Sequence, residues 1–277
     1  MISNSQINPL TDLSFVSTDL SELVERLDQV KQLTIVATPN PEQIVLAKHQ
    51  PEFGQMLSEY DYLVPDGIGL IWASKVLSMG GKMRPLMGRI PGVELAGELI
   101  KKAITAKQKI LIVGGLNYEG QILKLADQTV KIIQVTPGHL AKQHDPVIYW
   151  VQGYRDITHV SSGATEQVRQ VIVQLKPGLV LVAMGAPYQE EWILNHRKLL
   201  DQNQIKIAMT VGGAIDILIG RIQRAPRWMQ DFGLEWLWRL VQEPWRWRRQ
   251  LKLFEFMILV FREFLPGSAT DQGSTKF

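Results

Sequence analysis

Short unbroken apolar runs alternate with longer stretches of helical spacing through the first 220 residues. The runs at 33–37, 62–64, 109–113, 130–135, 179–184 and 205–211 predict strands. Most are continuous rather than alternating, as expected for strands covered on both faces of a parallel sheet. Apolar positions three and four apart predict helices over 19–28, 41–49, 67–77, 92–106, 164–175 and 189–200. Asp19 and Glu22 form a capping-box-like start to the first. Asn40 stands as N-cap of the second, with Pro41 at its first position. This order predicts an α/β protein, with a Rossmann-like, mainly parallel sheet flanked by helices. Ligands in such folds sit at the carboxyl ends of the strands.

The pattern changes near residue 220. Strand signals stop there, and the C-terminal residues are helical in spacing and basic. Apolar residues at 251, 254, 258, 261 and 265 make one helical stripe, with Lys252, Glu255 and Arg262 on the opposite side. Such a helix can lie flat on a bilayer. The chain therefore divides into an α/β core over 1–220, a helical appendage over 221–266 and a polar, disordered tail over 267–277. The stretch 137–163 is the least periodic and is read as a long loop with a short strand or helix at 147–151. It carries His139, His144 and His159; the first two, five apart in a loop, are weak metal candidates.

Composition narrows the picture. Apolar residues make up 45%, enough for a sizeable core, and a net charge of +3 excludes a basic chain overall. The charge is local instead: eight basic against three acidic residues between Arg221 and Lys252. Five of the eight tryptophans are interleaved with arginine over 224–249. Guanidinium forks suit phosphate, and indole suits a membrane interface. With no cysteine, disulfides, thiolate metal sites and a cysteine nucleophile are excluded. The N-terminus lacks the features of a signal peptide, and no run of about 20 apolar residues predicts a membrane span.

Several strand ends run into polar or glycine residues. Thr38 and Asn40 follow the first strand; Asn40 either lines a pocket or caps a helix. Asp66 follows the second, where a carboxylate serves as general base or as the N-cap of the next helix, and the bare pattern favours the cap. Gly114 and Gly115 suit either a phosphate at a helix N-terminus or a tight turn, and the turn is the stronger reading. Gly185 precedes Gln189, which can hydrogen-bond a sugar or phosphate. Gly212 and Gly213 precede Asp216, which either meets a nucleobase or ribose or balances its own helix dipole. No HExxH, Cys/His cluster, DxD or GxSxG motif occurs, which favours a metal-independent reaction, and no cofactor is expected.

The ordered series TPNPE, PDGIGLIWASK, GRIPGVEL, VGG, GAPYQEEW, VGGAIDILIGRIQRAP and GLEWLWRLVQEPWRWRR resembles the WecG/TagA/CpsF glycosyltransferase family. The resemblance runs from about residue 10 to about residue 250 and rests on order and spacing rather than on any one motif. It implies an inverting, metal-independent transferase that moves a sugar from a UDP-sugar to a polyprenyl-diphosphate-linked sugar. The sugar is N-acetylmannosamine, its uronic acid or glucose. It also implies a peripheral location on the inner, cytoplasmic face of the membrane, docked through residues 221–266. By the same resemblance Asp66 is the general base, and Thr38 and Asn40 line the donor pocket. Arg89 and Gln189 match family positions, Asp216 is similar to a residue near the uracil, and Arg239, Arg246 and Arg249 hold diphosphate. Arg84 competes with Arg89 for its slot. Tyr188, Gly178 and Gly138-His139-Leu140 depart from the family pattern and leave the donor sugar open.

A second reading is a non-catalytic protein that binds anionic lipid or nucleic acid through the arginine–tryptophan tail. The absence of a basic excess elsewhere argues against an extended nucleic-acid track. Homo-oligomerisation is left open.

Overall fold

The computed structural model describes residues 7–125, 129–138, 147–152 and 162–265. In chain order the elements are α1 (Leu20–Asp28), β1 (Thr34–Ala37), α2 (Pro41–His49), α3 (Pro51–Ser58), β2 (Tyr62–Leu63), α4 (Ile68–Met79) and α5 (Gly92–Thr105). Then come β3 (Ile110–Gly114), β4 (Ile122–Lys124), β5 (Thr129–Gln134), β6 (Val147–Val151), α6 (Ser162–Leu175), β7 (Leu179–Ala183), α7 (Tyr188–Gln202) and β8 (Ile207–Thr210). The C-terminal part is helical: α8 (Ala214–Leu218), α9 (Arg227–Asp231), α10 (Glu235–Gln242), a 3-10 turn at Pro244–Arg246, and α11 (Trp247–Phe264). His139, His144, His159 and the tail 267–277 lie outside the described residues.

The strands form one sheet in the order β2-β1-β8-β7-β3-β6-β5-β4, parallel except for β4 against β5. All five residues of β3, β6 and β7 are buried, which explains their unbroken apolar runs. Alternate strand residues feed two cores. Ile35, Leu111, Val113, Val180 and Val182 face α2, α3, α6 and α7. Val36, Ile110, Ile112, Leu181 and Met209 face α1 and α5. The predicted caps are half right at α1 and right at α2. Asp19 accepts from the Glu22 N–H, but the Glu22 side chain turns to Thr18 and Arg26 instead of closing a box. Asn40 and Gln43 do close one.

α11 keeps its expected apolar stripe as an exposed side, but the side opposite is buried rather than polar. Leu251, Phe254, Ile258, Phe261 and Leu265 are the exposed side of the helix. The opposite side, through Phe256 and Val260, is buried in the core beside α2 and α4. The helix is thus apolar on two faces, and the sequence stripe marks the outer one. Trp72 meets Phe261 edge-on with ring centroids 5.6 Å apart. Lys82 pairs with Glu263 at 3.4 Å, and His49 with Glu255. Among the described residues no helix is long and apolar enough to cross a membrane.

Candidate active site

Parallel register brings the candidate residues to one edge. Ala37 is opposite Leu63, Val36 opposite Met209, Val182 opposite Thr210, and Gly114 opposite Ala183. The chain therefore leaves β1, β2, β8, β7 and β3 on the same side, carrying Thr38, Asp66, Gly212, Gly185 and Gly115 with it.

Asp66 does not cap α4. That place is taken by Gly67, whose φ of +109° is a conformation glycine reaches readily, with no side-chain cap bond. The Asp66 carboxylate instead lies at the start of α5, close enough to the N–H of Gly92, the helix's first residue, for that donor to act on its charge. A Cβ on Gly92 would lie 3.0 Å from Thr38 Oγ1 and 3.4 Å from Asp66 Oδ2, so glycine lets the three residues meet. The Asp66 backbone is fixed as well, its N–H donating to Pro39 O at 3.0 Å. Burial, and next the nearby Glu235 carboxylate, push the Asp66 pKa up to about 6. The Gly92 N–H and the charges of Arg89 and Arg239 oppose that rise without cancelling it. A carboxylate tuned this way is ionised at neutral pH and basic enough to take a proton.

Arg89, not Arg84, is the arginine beside Asp66. Arg84 is exposed, whereas Arg89 is half-buried and close enough to act on the Asp66 charge. Arg89 Nη1 pairs with Glu235 at 2.7 Å, and its Nη2 donates to Gln230 O at 2.8 Å. Arg224 Nε lies 3.6 Å from the other Glu235 oxygen. One carboxylate of α10 thus faces two arginines, and α10 is held over the carboxyl edge. Arg239 comes with it: its Nη2 would lie 3.4 Å from a Cβ on Gly213. Arg249 is exposed, and the Arg246 side chain lies outside the described residues. The structure therefore brings Arg89 and Arg239 to Asp66 and leaves Arg249 in solvent.

Gln189 is buried and engaged at both ends of its amide. Its Oε1 accepts from the N–H groups of Gly212 at 2.9 Å and Gly185 at 3.2 Å. Its Nε2 donates to Glu190 at 2.8 Å. It ties two strand-end turns together rather than presenting a free amide. Asn40 likewise spends its side-chain oxygen on the cap of α2. Asp216, in the first turn of α8, accepts from Tyr118 Oη at 3.2 Å and from Arg221 at 2.9 Å. No helix follows Gly114 and Gly115. A Cβ on Gly115 would lie 2.3 Å from the Tyr118 ring, and φ there is +77°, so the pair makes a tight turn against Tyr118. The tight turn, the stronger of the two sequence readings, is the one the structure holds, and the chain runs on through it to β4.

A model of the Glycosyl transferase WecG/TagA/CpsF family matches residues 8–270. The chain belongs to this family. Similar curated proteins include N-acetylglucosaminyldiphosphoundecaprenol N-acetyl-beta-D-mannosaminyltransferases. That of Bacillus spizizenii is 31% identical over 93% of this chain and 91% of its own length. That of Bacillus subtilis is 27% identical over 93% and 92%, and that of Staphylococcus aureus strain MRSA252 is 29% identical over 94% and 93%. The protein is a glycosyltransferase.

Within this WecG/TagA/CpsF glycosyltransferase, sequence reasoning passed over Glu235, Arg224, Gln43 and Glu190. Glu235 was visible only as the acid inside GLEWLWRL, with nothing to show that it crosses to Arg89. Gln43 was signalled as the third helical residue after an Asn cap. Glu190 had no signal, because a glutamate after a glutamine at a helix start reads as a solvated first turn.

Proposed function

We propose that this glycosyltransferase moves N-acetylmannosamine from its UDP conjugate to the N-acetylglucosamine of a polyprenyl-diphosphate lipid, with inversion at the anomeric carbon. The observation that carries the reading is the Asp66 carboxylate. It is uncapped, seated at a strand end, raised to a pKa of about 6 and flanked by Arg89 and Arg239. Sugar and acceptor follow the names of the relatives, which align along nearly the whole chain.

In this reading the Asp66 carboxylate takes the proton of the acceptor hydroxyl. The hydroxyl oxygen forms a bond to the anomeric carbon as the bond to UDP breaks on the opposite face. The electron pair of that bond leaves with UDP. Arg89 and Arg239 stabilise the charge gathering on the diphosphate. Arg249, which is exposed, approaches it only if the start of α11 swings inward. Thr38, Asn40 and the turns at Gly114, Gly115, Gly185, Gly212 and Gly213 surround the donor, with Asp216 and Tyr118 toward the base.

Residues 1–220 hold donor and base in this account, and 221–266 meet the lipid. Trp228, Phe232, Trp245, Trp247, Phe254 and Phe261 are all more than half exposed. Arg248 lies over the Trp247 ring at 5.5 Å, an arrangement suited to an anionic interface. The protein is then peripheral on the inner face of the plasma membrane, the side on which UDP-sugars are made.

The test is transfer by the purified protein from a panel of UDP-sugars to a short-chain polyprenyl-diphosphate N-acetylglucosamine. Transfer from UDP-N-acetylmannosamine well above the other donors is expected. Preference for UDP-glucose would move the donor assignment, and no transfer from any donor would overturn the reading.

A further inference from the structure

Behind the donor-side turns runs a polar string that the chemistry above does not use. The Asn40 N–H donates to Gln43 Oε1 at 3.1 Å, and Gln43 Nε2 donates to Glu190 Oε1, also at 3.1 Å. Gln189 Nε2 donates to the same Glu190 oxygen at 2.8 Å. The other end of Gln189 accepts from Gly185 and Gly212. Five hydrogen bonds thus join the turns after β1, β7 and β8 through one carboxyl group.

The chemistry of the string fixes its direction. Backbone N–H groups at Asn40, Gly185 and Gly212 each need an acceptor, so both glutamines turn their carbonyl oxygens outward. Both NH2 groups then point inward and need an acceptor in turn. Glu190 Oε1 is that acceptor, at a residue with no solvent exposure. Glu190 Oε2 has no hydrogen-bond partner among the described residues. Tyr60 Oη donates to the Glu190 backbone carbonyl at 3.0 Å and pins the start of α7 beneath it. An apolar side chain in place of Glu190 would leave both NH2 groups without an acceptor, so the carboxyl is what holds the two glutamines in this orientation. Burial also pushes its pKa up to about 7.

We propose that Glu190 is a positioning residue for the donor: it orients the Gln43 and Gln189 amides, and through them fixes the Asn40, Gly185 and Gly212 turns against the nucleotide sugar. This rests on the reading that those turns face the donor. The property that matters is an acceptor oxygen at Oε1, not a negative charge. A flipped Gln189 amide would turn its NH2 toward the Gly185 and Gly212 N–H groups, and the two turns would part.

The experiment compares Glu190→Gln and Glu190→Met in the full chain. It measures UDP affinity, KM for donor and acceptor separately, and hydrogen exchange at Gly185 and Gly212. Glu190→Gln keeps the acceptor oxygen, so donor KM and the two exchange rates stay within about threefold of wild type, even where thermal stability falls. Glu190→Met leaves both amides without an acceptor. Donor KM and the UDP Kd then rise about tenfold or more, acceptor KM stays within about twofold, and exchange at the two glycines quickens. Three results would overturn the proposal: an unchanged donor KM in Glu190→Met, Glu190→Gln as impaired as Glu190→Met, or donor and acceptor KM rising together. If Glu190→Met does not fold, Gln43→Met removes one arm from a half-buried site and should raise donor KM alone; no rise contradicts the proposal. Should the wild type not bind UDP, the functional reading fails on its own. The exchange rates still report whether Glu190 fixes the turns.

Discussion

Arg89 of the body and Glu235 of α10 form an ion pair at 2.7 Å, with the two side chains 17% and 24% exposed. The pair decides how the appendage sits. It brings the first turn of α10 over Asp66, and its carboxylate then raises the pKa of the base it covers. Glu235 also sits between Arg89 and Arg224, and in the proposed reading it is the anion that UDP would displace from Arg89. The seat of α10 and the strength of the base are therefore linked through one side chain.

Glu235→Gln should move the acidic limb of the pH–rate profile. An adjacent negative charge raises the Asp66 pKa, so removing it lowers the pKa, and the burial contribution keeps it above the ordinary carboxylate value. The limb in kcat/KM is expected to shift from about 6 toward lower pH. A shift toward higher pH would contradict the placement of Glu235. UDP should also bind more tightly to this variant, since Arg89 and Arg224 lose a competing anion; isothermal titration reads that directly.

Arg239→Ala should lower kcat about tenfold to a thousandfold with a smaller change in donor KM, because the interaction strengthens as the diphosphate gains charge. Arg84→Ala should stay close to wild type, since Arg84 is exposed. Steady-state kinetics with varied donor separates the two. Equal losses in the two variants would contradict the placement of Arg239, rather than Arg84, beside Asp66.

The two faces of α11 should respond differently to truncation. Phe256→Ala opens a cavity in the core and is expected to cost about 3–5 kcal/mol in denaturant unfolding. Phe254 is 61% exposed. Its replacement by serine together with Ile258→Ser should change stability by less than about 1 kcal/mol. The same pair should weaken co-sedimentation with anionic vesicles and slow transfer to a lipid acceptor, but not UDP binding. Unchanged vesicle binding would place the membrane contact elsewhere. Phe256 and Val260 also mean that removing everything after residue 222 uncovers core, so such a truncation is expected to be destabilised.

The sheet was legible because its central strands are buried on both faces and read as unbroken apolar runs. The run at 147–151 is a strand, β6, for the same reason. β4 was not legible: it is three residues long, with only Leu123 buried, at the edge of the sheet. α3 was hidden by Pro51 and Gly54, which read as punctuation, although proline suits a first helical position. α11 was legible as a helix with one apolar stripe suited to a bilayer, but its second apolar side, through Phe256 and Val260, which meets the core, was not. At the site, strand ends predicted which residues share an edge. Directions were beyond reach. Nothing local says that Gln189 turns inward to Glu190, that Gly67 rather than Asp66 precedes α4, or that Glu235 reaches Arg89, some 146 residues away.

The claim at the centre is that Asp66 is the base. It is tested most directly by the pH dependence of kcat/KM for transfer to the lipid acceptor in wild type and Asp66→Asn. The account predicts an acidic limb near 6 in the wild type. It predicts a loss of about a hundredfold or more in the variant, with no limb there and UDP affinity retained. A variant that keeps most of its rate, or that keeps the same limb, would contradict it.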